Sequence, residues 1–320
     1  MDTKANKLPY NVPADAVWFI TGCSSGIGKS LAKLLLQHAT YRVVATARKP
    51  STLADLAVPG AEDRLFATAL DVTSPESIDA AVAATLSRFG RIDVLINNAG
   101  YGLFGDAEAS RREDELKLFE TNLWGPVALS KHAVRIMREE NPKTGSIGGV
   151  IINVSSMGGF ITVPSHTFYH ASKFALEGFT QGFAKEMRPE WNIHFCIAEP
   201  GGVQTEFGNN VNRGVRHPAY EAPDTPARAI EAYIANPASR KYWAKPDPTA
   251  RAVIEIVSGA REGAKGRIPI RVPIGVDAFT AVKAEAAKIS AELEEFKELS
   301  VSTQIELSEE LMALFGHSGP

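Results

Sequence analysis

The sequence predicts an α/β protein: a doubly wound domain with a parallel sheet and helices on both faces. Three observations carry this. Apolar runs of strand length alternate with amphipathic runs of helical period along most of the chain. The first run, Val17 to Thr21, leads directly into a glycine turn and a helix. The composition, 44% hydrophobic with 26 glycines and 19 prolines, is that of a soluble chain with a large core. Right-handed crossovers should connect the parallel strands.

The 320 residues exceed an ordinary domain without requiring two. A formal charge of -3 gives no electrostatic preference for nucleic acid or an anionic membrane. Cys23 and Cys196 form neither a metal-ligand cluster nor a disulfide framework, which points to a reducing compartment. The N-terminal MDTKANKLPYNVPADA is polar and lacks a secretory pattern. No run reaches ~20 apolar residues, so no membrane span is expected and the cytoplasm is the default location. The final HSGP is not a peroxisomal address, and no internal repeat or low-complexity segment is present.

In chain order, Val17 to Thr21 is a buried strand. GCSSGIG follows, from Gly22 to Gly28, with a helix carrying Ile27, Leu31, Leu34 and Leu35 on one side. Strand, glycine turn and helix make a dinucleotide site, because glycines let a pyrophosphate approach the helix N-terminus. The spacing is Gly-x-x-x-Gly-x-Gly, and a glycine turn without a ligand has the same local reading. Arg42 to Ala47 is the second strand. An acid about 20 residues on would hold the ribose of NAD. Ala47 is not acidic, and Arg48 and Lys49 follow it. Two cations suit a 2′-phosphate, with Ser24 as a further hydroxyl; a solvated basic turn is the plainer reading.

Residues 51–64 form a polar connection to a third strand, Leu65 to Leu70, ended by Asp71. Locally Asp71 is a turn or cap residue before a helix starting near Ser74, with Pro75 and Glu76 in its first turn. Ile78 to Phe89 is an amphipathic helix. Val94 to Ile96 is the fourth strand and empties into Asn97, Asn98, Ala99 and Gly100. Side-chain amides there can tie strand ends, while small residues leave space for a nicotinamide ribose. Arg112 to Leu123 is helical, and a second helical run continues through Arg138. Asn122 within it would ordinarily be structural, and Pro126 fits a local break.

Val150 to Val154 is the fifth strand and delivers Ser155 and Ser156 at its functional end. Gly158 and Gly159 let the chain turn away. A helix carrying Phe168, Ala171, Ala175 and Leu176 continues to Arg188. Ile193 to Glu199 is the sixth strand, followed by Pro200, Gly201, Gly202, Val203, Gln204 and Thr205. Phe207 to Asp224, with Phe207, Val211, Val215 and Tyr220, reads as a substrate-covering loop whose aromatic residues either face a ligand or anchor the loop. Thr225 to Ala235 and Pro248 to Ser258 are helical. Arg267 to Arg271 is a strand before Pro273, and Ala278 to Leu299 and Ile305 to Phe315 are charged helices.

The chemistry gathers around the fifth strand and the helix after it. Ser156 precedes Tyr169 by 13 residues, and Lys173 follows Tyr169 by four. Positions i and i+4 share a helix face. An ammonium beside a phenol favours the phenolate, lowering a pKa otherwise near ~10. The phenol is then a usable general acid or base, and a serine hydroxyl can polarise the same carbonyl oxygen. The pair alone would equally fit a buried tyrosine and a surface lysine. His166 and His170 flank Tyr169, but proton transfer is already supplied, and His170 should point from another helix face.

On these residues the chain resembles the short-chain dehydrogenase/reductase family in its classical type, over roughly Ala16 to Pro273. Ser156, Tyr169, Lys173 and Asn122 fall where that family keeps its four catalytic residues. Thr21, Gly22, Gly26, Ile27 and Gly28 match its TGxxxGIG element, with Ser24 and Ser25 inside it. Asn97 to Gly100 match NNAG, and Pro200 to Thr205 resemble PGxxxT. The resemblance implies a Rossmann fold with a seven-stranded parallel sheet. It implies NADP(H) over NAD(H) from Ala47 and Arg48, an adenine contact from Asp71, and Val72 packed on the adenine ring. It implies that Tyr169 and Lys173 also contact the cofactor, and that Pro200, Gly201, Val203 and Thr205 meet its nicotinamide or a phosphate. Asn122 would hold a water leading to Lys173. The helix of Tyr169 and the one before it would form a dimer interface, within a homodimer or homotetramer.

The TGCSSGIG and YxASKFALEG segments look especially like hydroxysteroid and retinol dehydrogenases. The expected function is therefore an NADP(H)-dependent oxidoreductase reducing a bulky apolar ketone or aldehyde, without a metal. Alternatives are the oxidative direction on an alcohol, dehydration or epimerisation on the same fold, and a non-catalytic dinucleotide-binding protein. Residues 16–273 form the expected catalytic domain, including the 207–224 loop. Residues 274–320 form a helical extension that caps the pocket, joins a subunit interface, or packs outside.

Overall fold

The first strand, β1 (Val17–Ile20), passes through the glycine turn into α1 (Gly26–Leu36), and β2 (Arg42–Ala47) returns beside it. β3 (Leu65–Ala69), α2 (Pro75–Phe89) and β4 (Val94–Asn97) follow. A short β5 (Leu103–Phe104) leads to α3 (Arg112–Phe119), a π-helical turn at Glu120–Trp124, and α4 (Gly125–Glu139). Next come β6 (Gly149–Val154), α5 (Thr167–Lys185), β7 (Ile193–Pro200) and a two-residue β8 (Asn212–Arg213). α6 (Pro226–Ala235), α7 (Pro237–Arg240), α8 (Pro246–Ser258), β9 (Arg271–Ile274), α9 (Val276–Glu295) and α10 (Lys297–Val301) are the remaining elements among the described residues. This computed structural model describes residues 6, 8–206, 212–259, 266–303, 308 and 310. The expected positions of Phe207 and Val211, and all but two residues of the Ile305 to Phe315 helix, lie outside them.

Seven strands form one parallel sheet in the order β3-β2-β1-β4-β6-β7-β9. Winding reverses between β1 and β4, which opens a crevice at their C-terminal ends. Period-2 alternation divides the core into two layers. Trp18, Ile20, Val43, Ala45, Ile96, Ile152 and Cys196 face Leu31 and Leu35 of α1 and Val253 of α8. Val17, Phe19, Val44, Leu95, Ile151 and Phe195 face Ile78 of α2, Ile136 of α4 and Ala184 of α5. Both faces of the sheet are covered by helices, as expected for a doubly wound domain. No helix among the described residues is long and apolar enough to cross a membrane.

Several boundaries differ from the sequence reading. The seventh strand lies at Arg271–Ile274 rather than Arg267 to Arg271, with Pro273 inside it. β9 is the edge of the sheet; Ile197 N of β7 donates to Ile270 O, and Gly201 N just past β7 donates to Ile274 O. Pro273 therefore falls in the outward register, where a missing N–H costs no ladder bond. The expected Arg112 to Leu123 helix gives way at Glu120 to the π turn, in which Gly125 N donates to Glu120 O. The expected long tail helix breaks at Phe296.

Candidate active site

The glycine turn and the end of β4 are stitched together. Thr21 Oγ1 accepts from the amides of Asn98 and Ala99, both at 2.9 Å. Asn98 Nδ2 donates back to the carbonyls of Thr21 at 2.9 Å and Gly22 at 3.2 Å. Gly28 must lack a side chain, because a Cβ would lie 2.5 Å from both Asn98 Nδ2 and Gly22 O. Gly22 has φ +71°, a left-handed turn that favours glycine. Ser25 occupies the N-cap of α1 without a side-chain cap bond, so first-turn amides remain for a ligand or water. Thr205 arrives from the far side of the sheet: a Cβ on Gly26 would meet its Cγ2 at 3.1 Å. Ser24 is exposed beside this turn, and Ile27 is half-buried.

At the end of β2, Ala47 is buried and Arg48 is exposed. Asp71 Oδ1 accepts from the amide and hydroxyl of Thr73. Those bonds, and more weakly the Arg48 charge, hold its carboxyl below the usual range. Val72 is buried against Gly125, where any Cβ would overlap it. The crevice thus offers a side-chain-free cradle at a helix N-terminus beside a cation, and these residues fit a nicotinamide dinucleotide.

α5 and the end of β6 place Ser156, Tyr169 and Lys173 together. The Ser156 hydroxyl is hydrogen-bonded to the Tyr169 phenol and also accepts from Gly158 N at 3.0 Å. Lys173 Nζ lies 5.9 Å from the Tyr169 ring centroid and donates to Val154 O at 2.9 Å. Burial pushes the Tyr169 phenol up to about 12, against the Ser156 bond, which lowers it. The depression expected from Lys173 does not emerge: burial raises the phenol, and the opposing contribution comes from Ser156. Burial also brings Lys173 down to about 8, while the Glu177 charge acts to raise it.

Asn122 is buried in the π turn. Its side chain donates to Tyr101 O at 2.9 Å and to Ser172 Oγ at 3.1 Å, and accepts from Tyr101 N at 3.1 Å. Its carbonyl cannot receive the usual helical bond from residue 126, because Pro126 has no N–H. A Cβ on Gly100 would lie 3.1 Å from Asn122 Oδ1 and 3.6 Å from Lys173 Nζ, so these three positions converge. The two histidines face elsewhere. His170 Nε2 accepts from Val163 N at 3.0 Å, so Nδ1 carries the proton and donates to Gly158 O at 2.8 Å. Burial lowers both imidazoles, His166 to about 4.

Beyond β7, Pro200 ends the strand and Gly201 N donates to Ile274 O at 3.0 Å. Val203 bridges Ala244, and Gly202 N donates to Asp277 Oδ2 at 2.8 Å. The start of α9 therefore braces the segment leading to Thr205. Farther on, β8 pairs with β5. His217 N donates to Asp106 Oδ2, Arg228 pairs with Asp106, and Tyr220 donates to Glu108. Tyr220 is thus a loop anchor.

Sequence reasoning missed Asp277 and Glu177. Asp277 had a weak signal, an acid in the first helical turn after Gly275. Glu177 had a better one: an acid four residues after Lys173, on the face that also carries Tyr169.

The family described as short chain dehydrogenase matches residues 16–216. Oxidoreductase calM of Penicillium decumbens is 38% identical over 94% of this chain and 96% of its own length. Retinol dehydrogenase 8 of Bos taurus is 34% identical over 79% of this chain and 81% of its own. The crystal structure of a short-chain dehydrogenase from Streptomyces avermitilis superposes with a TM-score of 0.77 at 32% identity, over 90% of this chain and 98% of that one. The chain belongs to the short-chain dehydrogenase family in its classical type. It is an NAD(P)-dependent oxidoreductase acting on carbonyl or alcohol groups.

Proposed function

We propose that the protein is an NADP(H)-preferring reductase of bulky apolar ketones or aldehydes. The observation that carries this reading is the Ser156–Tyr169 hydrogen bond on a buried phenol, with Lys173 on the same helix face. A phenol pushed up to about 12 is fully protonated at neutral pH, the form a carbonyl reduction needs. A bound nicotinamide supplies or receives the hydride. Ser156 polarises the substrate oxygen, and Tyr169 donates a proton to it from its hydroxyl. Lys173 holds the ribose and stabilises the phenolate left behind. Asn122 offers its carbonyl to a water that returns the proton through Lys173.

The cradle for the dinucleotide is formed by Gly22, Ser24, Ser25, Gly26, Ile27 and Gly28. Asn98, Ala99 and Gly100 border the ribose, while Asp71 and Val72 border the adenine. Pro200, Gly201, Val203 and Thr205 line the nicotinamide side. Preference for a 2′-phosphate is supported by exposed Arg48 next to neutral, buried Ala47. An apolar substrate is supported by similarity to retinol dehydrogenase 8. The same reading takes residues 16–273 as the catalytic domain, residues 274–320 as an extension, and a cytoplasmic homodimer or homotetramer as the working form.

A carbonyl panel with NADPH tests the proposal: all-trans-retinal, a ketosteroid, menadione and glyceraldehyde, with product identification. Turnover of the bulky apolar members is expected. Turnover confined to glyceraldehyde would overturn the substrate reading, and oxidation of the matching alcohols alone would overturn the direction.

A further inference from the structure

A buried ionic cluster lies directly beneath Ser156, Tyr169 and Lys173. Glu177 follows Lys173 by one helical turn on α5. The two side chains grip consecutive residues at the end of β6. Lys173 Nζ donates to Val154 O at 2.9 Å, and Ser155 Oγ donates to Glu177 Oε1 at 2.6 Å. The next residue is Ser156. The turn after it closes on the same carboxylate, because any Cβ on Gly159 would overlap Glu177 Oε1. Behind the grip, Arg271 of β9 pairs with Glu177 at 2.6 Å and also with Glu199 of β7. Its guanidinium lies 5.0 Å from the Phe160 ring centroid, so it reaches the turn as well.

Glu177 and Glu199 are 2% and 0% exposed. Two dry carboxylates therefore share one guanidinium. Burial first, and the Glu177 charge second, push the Glu199 carboxyl well up. The charged or titratable groups facing Glu177 are Lys173 on its own helix, Arg271 on β9 and Glu199 on β7. Such a cluster is an expensive way to join strands, since apolar residues of similar volume would often serve equally well. Placed next to the reacting groups, it supplies charge and hydrogen bonds that apolar packing could not.

We propose that Glu177 is a positioning residue for the reaction: through Ser155 it fixes the strand end that carries Ser156, and its carboxylate is the buried counter-charge of Lys173. This rests on the roles given to Ser156 and Lys173 above. The two halves of the proposal separate in two variants. S155A removes the grip and leaves the charge. E177Q keeps an acceptor oxygen and nearly the same volume but removes the charge.

The measurements are kcat and kcat/KM against pH with NADPH and the best carbonyl of the panel, NADPH affinity by fluorescence, and crystal structures of both variants. S155A should lose kcat roughly 10- to 100-fold at every pH, as a small displacement of a reacting group does. Its crystal structure should show Ser156 Oγ outside hydrogen-bonding distance of Tyr169. Lys173 acts in its charged form, which is present below about 8 and lost above it. In E177Q that alkaline limb of kcat/KM should move to lower pH, because a neighbouring negative charge no longer favours the ammonium. Wild-type kcat in S155A, or an unmoved Ser156, would overturn the grip, even with a lowered Tm. An unmoved limb in E177Q would overturn the counter-charge. Should the wild-type chain reduce none of the panel, the reading of its function fails. The S155A structure and the pH dependence of NADPH binding in E177Q then still decide the proposal.

Discussion

Tyr169 holds its proton more tightly than a solvated tyrosine because it is dry. Burial outweighs the Ser156 hydrogen bond, while Lys173 directs one of its N–H groups to Val154 O. The spacing of serine, tyrosine and lysine was readable in the sequence, since helix period alone puts positions 169 and 173 on one face. The charge balance was not readable, because desolvation depends on what closes over a side chain from elsewhere in the fold. Glu177 shows the same limit. Its helix face was evident, but its partners Ser155, Glu199 and Arg271 come from the turn after β6, from β7 and from β9. Tyr169→Phe removes one hydroxyl and leaves the cradle around Gly22 to Gly28 untouched. It should keep NADPH affinity near wild type and lose kcat by about 100-fold or more, the scale of a positioned general acid. Single-turnover reduction at saturating NADPH checks this, and near-normal turnover would remove Tyr169 from the proton-transfer role.

Strand–helix alternation was legible because each element buries a continuous apolar face, so the parallel sheet and its two helical layers follow from pattern. The misplaced elements are those whose shape depends on context. β9 tolerates Pro273 because it is an edge, and no local signal announces an edge. β5 and β8 are two residues each and exist by pairing with one another. The end of β2 is the element with the clearest functional consequence. Ala47 is buried and neutral, and Arg48 stands just past it, near enough to act on Asp71. Arg48→Ala should weaken NADPH binding by about 2 kcal/mol, the value of one hydrogen bond to a charged group, and leave NADH binding almost unchanged. Titrating both cofactors checks this. Equal weakening of the two would assign Arg48 to a solvated turn.

At the scale of the molecule, the sheet divides labour between its two ends. The glycine turn, Asn98, Ser156 and Pro200 all stand at the C-terminal ends of strands. The N-terminal ends carry closure contacts, and the most economical is made by Asn6. Its Nδ2 donates to Phe195 O at 2.7 Å and to Ile268 O at 2.9 Å, and Phe195 N donates to its Oδ1 at 3.3 Å. Pro9 and Tyr10 continue the seam against Arg267 and Gly266. One buried side chain thereby joins the start of the chain to β7 and to the segment feeding β9. A polar segment ahead of the first strand gave no warning of this, because the partners are backbone groups 189 and 262 residues away. Asn6→Ala would leave those carbonyls and that amide without their partner in a dry setting. An unsatisfied buried group costs about 1–3 kcal/mol, and partial entry of water reduces the sum, so a loss on the order of 2 kcal/mol is expected. Thermal unfolding should show a Tm several degrees lower, with NADPH affinity and kcat unchanged, since Phe195 lies near the opposite end of β7 from Pro200. A variant that melts with the wild type would mean that the seam holds without Asn6. A variant that loses NADPH affinity would mean that the two ends of the sheet are coupled.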